Sequence, residues 1–377
     1  MNIIVAPDKF KGSLSTFEVI EAISTGIRWV NPETIIHAVP MADGGEGTMQ
    51  IMTEASKGTI QKVSVRDPLD RIIEAEYGYS KEQETAFIEM AAASGLHLLS
   101  RNEYNPLLTS TFGTGQIIQD ALLKGAKKIV LGIGGSATTD AGIGMAAALG
   151  YRFYDDQDVE VLPIGGMMRN ISKIDTSMVL PQLQQCKVVV ACDVTNPLLG
   201  QEGAAAVYGP QKGASPEMIP LLEQGLERIS NLAKEVFHMD IHQKPGSGAA
   251  GGLGAGCQWF LGGELQEGVK VIMELSNLEN LIQSADLVIT GEGRVDQQTL
   301  QGKVVKGLAN LCNRNQVPLA VLCGSLSISA EELETAGITY ASSILDKPMD
   351  LDTALSEASD LLTNATIQLV RLFSIAR

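Results

Sequence analysis

The sequence Lys-Ile-Val-Leu-Gly-Ile-Gly-Gly-Ser-Ala-Thr-Thr-Asp-Ala-Gly-Ile-Gly, residues 128–144, contains the pattern that decides the fold. Residues 128–133 form a short apolar, partly β-branched run, which predicts a buried strand. Residues 134–139 are small or carry hydroxyls and predict a turn, and residues 140–149 predict a helix. Such a turn is typical of an anion site, because glycines admit close approach and the helix start offers backbone amides. The spacing is neither Walker A nor GxGxxG, so an ordinary strand-to-helix turn fits equally well.

Composition indicates an ordinary globular α/β protein. The chain has 377 residues, 45% of them hydrophobic and 19% charged, which is enough for two domains with substantial cores. Only 5% are aromatic, whereas 39 are glycine, which favours many tight strand-to-helix turns. The net charge of -16 argues against a nucleic acid partner and against an anionic membrane surface.

Cysteine usage and the beginning of the chain indicate a cytoplasmic protein. The five cysteines are odd in number and never in CxxC spacing, so neither a disulfide framework nor a zinc site is predicted. Residues 1–7 predict a strand and not a signal peptide, and no run of about 18 apolar residues occurs. We expect a cytoplasmic monomer or homodimer.

The order of predicted elements indicates two domains, one of them discontinuous. Strands and helices alternate at both ends of the chain, as in a parallel α/β sheet. Short alternating strands from about residue 63 to residue 90 predict an antiparallel meander. We therefore predict a Rossmann-like, doubly wound parallel sheet domain, residues 1–58 and 284–377. It is interrupted by an inserted α/β domain with a mixed sheet, residues 59–283.

Five turns share one composition: an apolar strand, then small residues with one or two carboxylates or lysines. Open α/β sheets bind ligands at the carboxyl ends of their strands, so these turns are predicted to converge on one cleft. The five turns are residues 8–13, 43–48, 134–140, 193–200 and 291–303.

Two of these turns carry contrasting charge. Lys9 and Lys11 stand beside Asp8 and Ser13 at the end of the first strand, where they are predicted to bind polyphosphate. Solvated surface lysines are the alternative. Asp193 follows a buried strand, so it is predicted to be partly desolvated and able to accept a proton from a hydroxyl. A turn-forming Asp bonded to its own backbone is the alternative there.

The second turn predicts a metal site. Asp43 and Glu46 flank Gly44 and Gly45, and two carboxylates held close together suit a magnesium ion that also takes phosphate oxygens. A plain acidic turn fits the spacing equally well.

The last turn offers cations and carboxylates together. Arg294 is predicted to grip a substrate carboxylate in a bidentate way, and Lys303 to contact a phosphate. The alternative is an internal ion pair between Arg294 and Asp296. A further segment, residues 245–256, is too glycine-rich for a normal helix. It is predicted to be either a phosphate or adenine loop or a tight packing segment.

Taken together, these motifs resemble the bacterial glycerate kinase family of the two-domain type. They follow the family's order and span nearly the whole chain. Lys9 stands where a serine is frequent in the family, which weakens a hydroxyl role there. The matching segments are residues 6–13, 40–48, 132–142, 191–197, 248–256 and 290–303.

The resemblance implies ATP-dependent phosphorylation of D-glycerate with Mg²⁺, in glyoxylate, glycolate or sugar-acid breakdown. The implied product is 2-phospho-D-glycerate, with 3-phospho-D-glycerate as the alternative. A kinase for a related hydroxy acid and a non-catalytic ligand-binding homologue are further alternatives. The resemblance also implies an active site between a Rossmann-like domain and an inserted α/β domain.

Phosphoryl transfer requires positioning and charge neutralisation, which suggests a role for each residue. Asp193 is expected to be the base, Arg294 to bind the glycerate carboxylate, and Lys9 and Lys11 to bind phosphates. Further substrate or nucleotide residues are expected to be Asp8, Ser13, Gly44, Gly45, Gly134, Gly135, Ser136, Thr138, Glu292 and Lys303. Magnesium is expected at Asp43, Glu46 or Asp296.

Overall fold

The structure, a computed structural model, describes residues 1–42, 47–297, 299–301 and 304–375. The chain divides into two compact units. The first comprises Met1–Asp43 and Val269–Arg377, and the second is Gly44–Gly268. The sequence placed these divisions after residues 58 and 283.

Two helices explain where the units divide. The helix Thr48–Ala55 packs on the strands of the second unit and belongs with them. The helix Gly268–Leu275 packs in the first unit, where a methyl group added to Gly307 would lie 2.8 Å from Met273 Cε.

The secondary structure alternates through most of the chain. The strands are β1 (Asn2–Val5), β2 (Ile35–Ala38), β3 (Thr59–Arg66), β4 (Ile72–Ser80), β5 (Thr85–Glu89), β6 (Lys128–Gly132), β7 (Arg152–Tyr154), β8 (Lys173–Asp175), β9 (Lys187–Ala191), β10 (Glu264–Gln266), β11 (Leu287–Val295), β12 (Leu319–Leu326) and β13 (Tyr340–Ser343). The helices are α1 (Thr16–Val30), α2 (Thr48–Ala55), α3 (Ala91–Ser94), α4 (Phe112–Leu123), α5 (Ile143–Ala148), α6 (Ala204–Tyr208), α7 (Met218–Phe237), α8 (Ala249–Leu261), α9 (Gly268–Leu275), α10 (Leu278–Ile282), α11 (Val304–Asn315), α12 (Ala330–Ala336), α13 (Leu351–Ser356) and α14 (Ala358–Ile375).

The first unit is built on a five-stranded parallel sheet in the order β13-β12-β11-β1-β2. From β1 the chain adds β2 on one side and then β11, β12 and β13 on the other. The direction of winding therefore reverses between β1 and β11, which makes this the topological switch point. The residues of β1 and the first half of β11 are mostly apolar and buried, because helices such as α1 and α14 cover the sheet. The predicted doubly wound parallel sheet is confirmed.

The second unit contains a six-stranded mixed sheet in the order β10-β9-β6-β5-β4-β3. The strands β3, β4 and β5 form an antiparallel meander, whereas β5, β6, β9 and β10 run parallel. A separate antiparallel pair joins β7 and β8. The predicted mixed sheet is confirmed, and the quoted stretch, residues 128–144, provides its central strand β6.

One predicted element differs in extent: the helix predicted over residues 140–149 is confined to Ile143–Ala148. In the first unit, β11 extends to Val295, which pairs with Leu326 of β12. The chain ends in two helices, α13 and α14.

The glycine-rich segment 245–256 is a packing segment. Most of it belongs to the buried helix α8, in which Ala250, Gly251 and Gly252 take left-handed backbone angles. A methyl group on Gly251 would lie 2.1 Å from the carbonyl oxygen of Thr138, so the backbones approach too closely for a side chain. Among the described residues, no helix combines the length and apolarity that crossing a membrane requires.

Candidate active site

The first unit contains a cavity of about 600 Å³ at the carboxyl edge of its sheet. The cavity lies at the ends of β1, β11 and β12 and beside the chain that follows β13, which includes the switch point between β1 and β11. It brings together six predicted site residues from two distant turns: Asp8, Lys9, Lys11, Ser13, Glu292 and Arg294.

A backbone hydrogen bond joins these two turns: the Asp8 amide donates to the carbonyl of Gly291 at 2.9 Å. Within the first turn, the Lys9 amide donates to Asp8 Oδ1 at 2.7 Å. A methyl group on Gly293 would lie 3.3 Å from the amide nitrogen of Lys11, so a glycine permits this close approach. Of the five turns predicted to converge, 8–13 and the beginning of 291–303 therefore meet within the first unit.

One wall of the cavity is apolar and was not predicted. The Ser13 hydroxyl, expected to contact substrate, donates to the carbonyl of Leu355 at 2.9 Å and ties the first turn to α13. The sequence gives only a weak signal for this wall, because the wall is formed largely by a loop and a six-residue helix near the end of the chain. The apolar lining residues are Phe10, Ile344, Leu345, Met349, Leu351, Ala354, Leu355 and Ala358.

The ion pair between Arg294 and Asp296, which the sequence left as an alternative, is present. The Arg294 Nε lies 3.1 Å from Asp296 Oδ2. The Arg294 side chain is 68% exposed, and such an exposed pair contributes little to stability. Since a guanidinium has five N–H donors, the pair leaves donors that suit a carboxylate or phosphate in the cavity.

In the second unit, two further predicted turns share one sheet edge. The strands β6 and β9 are neighbours and parallel, with Gly132 opposite Ala191, so the turns after them lie on the same side. Gly134 and Gly135 are exposed, whereas Ser136 is 9% exposed. The Gly135 carbonyl accepts from the amide of Leu96 at 2.9 Å, which fixes the turn against the chain after β5.

The buried carboxylate of Asp140 corrects the expectation of open amides at a helix start. Its Oδ2 accepts from the amide and the hydroxyl of Thr111, both at 2.8 Å, and from the amide of Gly144 at 3.2 Å. Its Oδ1 accepts from the amide of Gly142 at 3.2 Å. Burial raises the pKa of Asp140, and these hydrogen bonds oppose the rise. The amides beside α5 thus bind a side chain of the protein itself.

Thr138 lies inside the protein, next to a residue that the sequence analysis missed. The Thr138 side chain is fully buried, and its carbonyl accepts from Lys212 Nζ at 2.6 Å. Burial lowers the pKa of Lys212 to about 7, and the charge of Asp140 opposes this. Nothing in the sequence Pro210-Gln-Lys-Gly213 indicates burial, because it has no apolar periodicity.

Asp193 stands at the end of β9, as predicted, and its side chain is exposed. Its Oδ1 accepts from the amide of Gly268, the first residue of α9, at 2.9 Å in a partly buried hydrogen bond. This contact orients the carboxylate.

Several predicted residues lie outside the described part of the chain: Asp43, Gly44, Gly45, Glu46 and Lys303. Within the described part, no three or more His, Cys, Asp or Glu side chains form a group that could hold a metal ion. Asp296, the third candidate for magnesium, is described, and its carboxylate is 28% exposed.

Comparison with known protein families shows which family this chain belongs to. The model of the glycerate kinase family matches residues 3–374. The chain belongs to the glycerate kinase family. It is therefore an enzyme, a glycerate kinase, with ATP as the co-substrate that a kinase family implies.

Individual relatives cover the whole chain. A glycerate kinase of Halalkalibacterium halodurans is 45% identical over 96% of each chain. The glycerate 2-kinase of Escherichia coli K12 is 42% identical over 100% of this chain and 98% of its own. A crystal structure from Salmonella typhimurium LT2, of a protein assigned as glycerate kinase 2, superposes with a TM-score of 0.91 at 42% identity. It covers 100% of this chain and 99% of that one.

Proposed function

We propose that the protein transfers the γ-phosphoryl group of ATP to the 2-hydroxyl of D-glycerate, giving 2-phospho-D-glycerate and ADP. The observation that carries the proposal is the cavity at the switch point, which collects Lys9, Lys11 and Arg294 in an otherwise acidic protein. Phosphoryl transfer depends mainly on positioning and on neutralising phosphate charge, which such a cluster can supply. The name of the E. coli relative supports the 2-kinase activity.

In the first unit, cationic side chains bind the anionic groups of both substrates. Lys9 and Lys11 neutralise the polyphosphate of ATP, while Arg294 binds the carboxylate of D-glycerate with the guanidinium donors that Asp296 does not engage. Asp8 and Glu292 line the same cavity and position these cations.

In the second unit, Asp193 accepts the proton from the reacting hydroxyl as its oxygen forms the new bond to phosphorus. The hydrogen bond from the Gly268 amide orients the carboxylate for this role. The amides of the turn at Gly134, Gly135 and Ser136 bind phosphate oxygens. Thr138 supports this turn from within, through the contact of its carbonyl with Lys212.

Magnesium would be held by Asp296, or by Asp43 and Glu46. The carboxylate of Asp296 fits the oxygen chemistry that Mg²⁺ prefers, and one or two carboxylates suffice because waters and phosphate oxygens complete the shell. The chemistry that magnesium would supply there is neutralisation of part of the phosphate charge. We place the reaction in the cytoplasm, where the co-substrate ATP is available.

A coupled assay of ADP release tests the proposal. Purified protein is supplied with ATP, Mg²⁺ and one of three acceptors: D-glycerate, tartronate or glyoxylate. We expect ADP release to require an acceptor and kcat/KM to be highest for D-glycerate. A preference for tartronate or glyoxylate, equal release without acceptor, or no release with any of the three would contradict it.

A further inference from the structure

Part of the apolar wall of the first unit's cavity lies outside the core, whereas Phe10 and Ile344 belong to it. None of the six residues of α13 is buried, although the helix carries Leu351, Ala354 and Leu355. Leu351 is 71% exposed and Leu345 is 41% exposed. Apolar side chains grouped beside a cavity are a common sign of a ligand surface.

The volume of the cavity suits a nucleotide better than a three-carbon acid. At about 600 Å³ it lies within the range of roughly 300–1,000 Å³ typical of pockets for larger organic ligands. D-glycerate has no apolar surface that would profit from contact with leucines. The adenine and ribose of ATP have flat faces of carbon and nitrogen, which bury well against aliphatic side chains.

The lysines and the apolar residues that line the cavity come mostly from different segments of the chain. Lys9 and Lys11 belong to the turn after β1, whereas the apolar residues come from the chain after β13 and from α13. The carboxylate of Asp350, which accepts from the amide of Thr353 at 2.8 Å and begins α13, also lines the cavity. A carboxylate can accept hydrogen bonds from the ribose hydroxyls.

We propose that this cavity is the nucleotide site, with the adenosine portion of ATP against Ile344, Leu345, Leu351 and Leu355 and the polyphosphate toward Lys9 and Lys11. This assignment rests on the proposed function and adds to it the location of the nucleoside. The adenine base therefore contacts residues from the last forty or so positions of the chain, where the sequence showed no nucleotide motif.

Titration calorimetry with the full chain tests this assignment without requiring turnover. Two probes are compared: ADP and inorganic tripolyphosphate, which lacks the nucleoside. We expect Leu351→Ser to weaken ADP binding about tenfold, since one leucine contact with the base is lost. Tripolyphosphate binding should remain unchanged, because the substitution removes no charge. Ala354→Phe, which fills the cavity, should weaken ADP binding further.

A leucine outside the cavity provides the matched control. Leu372, in α14 of the same unit, is 61% exposed and does not line the cavity. Leu372→Ser should bind ADP with wild-type affinity. In steady-state assays, Leu351→Ser should raise KM for ATP and leave KM for D-glycerate unchanged.

Three results would overturn the assignment. They are unchanged ADP affinity in both Leu351→Ser and Ala354→Phe, an equal loss of tripolyphosphate affinity, or a raised KM for D-glycerate alone. A different result would contradict the proposed function alone: ADP binding would change as expected in the variants, but the wild-type protein would not phosphorylate D-glycerate. If instead the wild-type protein phosphorylates D-glycerate and neither substitution changes ADP affinity, the function stands and the nucleotide site is wrong.

Discussion

The turns at the carboxyl edges of the two sheets have similar sequences but different surroundings. In the first unit, the turn after β1 and the last residues of β11 line a cavity, and Lys9, Lys11 and Arg294 there are exposed. In the second unit, the turn after β6 exposes Gly134 and Gly135 and then runs into the protein, where Asp140 and Lys212 are fully buried.

The difference shows that a glycine-rich turn after a strand has two uses. Glycine allows a ligand to approach the backbone, and it equally allows another part of the protein to approach. Gly134 has open space around it, whereas Gly251 contacts the carbonyl of Thr138. The two cases differ in whether another segment of the same chain, remote in sequence, packs beside the glycine.

Removing the base at the second unit's edge should have the largest effect. Asp193→Asn keeps an oxygen for the Gly268 amide but cannot accept the hydroxyl proton, so kcat should fall by about 10²–10⁴. Thermal melting should remain that of wild type. Asp156→Asn, at another exposed aspartate of the same unit, is the control. Near-normal turnover would remove Asp193 from the mechanism.

Adding a methyl group at Gly251, where two backbone segments of the second unit are in close contact, should destabilise the protein. Gly251 has a φ of +69°, and its methyl would meet the Thr138 carbonyl at 2.1 Å. We expect Gly251→Ala to lower the free energy of unfolding by about 3 kcal/mol, from backbone strain and overpacking together. Urea denaturation measures this, and a change under about 1 kcal/mol would show that the segment is not tightly packed.

The buried lysine should make stability depend on pH. Burial lowers the pKa of Lys212 from 10.5 to about 7, so the native state releases this proton at lower pH than the unfolded chain. The free energy of unfolding should therefore rise with pH in this window, by roughly 2 kcal/mol from about pH 6 to pH 8.5. The raised pKa of Asp140, which faces Lys212, acts in the opposite sense.

Denaturation of Lys212→Met at both pH values isolates this contribution. The variant should lack the rise that Lys212 causes, whereas Lys81→Met, at an exposed lysine of the same unit, should retain it. Equal pH dependence in Lys212→Met and wild type would contradict the burial of a titrating lysine.

Adding a methyl group where the turn is open should have the smallest effect on stability. A methyl at Gly134 meets nothing within 4 Å, so Gly134→Ala should change the free energy of unfolding by less than about 0.5 kcal/mol. It should nonetheless raise KM for ATP if the amides of this turn bind phosphate. A loss of stability comparable to that of Gly251→Ala would erase the distinction between the two glycines.

Local patterns predicted the architecture well. Apolar runs and turn residues indicated both sheets, including the meander β3-β4-β5, because such patterns reflect burial on each face of a strand. The turns 8–13 and 291–303 were among the five predicted to share a cleft, since parallel strands end on one edge.

Contacts between remote segments were not predictable in this way. The roles of Asp140 and Lys212 depend on neighbours dozens of residues away along the chain. The apolar wall of the cavity comes from the last helices of the first unit, whose leucines resemble ordinary core residues in sequence. The glycines of α8 resembled a phosphate loop because glycine content alone does not reveal what approaches the backbone.

Phosphorus NMR of the reaction product tests the central claim most directly. With D-glycerate, ATP and Mg²⁺, a proton–phosphorus correlation spectrum should show the new phosphate coupled to the single proton on carbon 2. Coupling to the two protons on carbon 3, or no phosphorylated acid at all, would contradict the proposal that this protein is a glycerate 2-kinase.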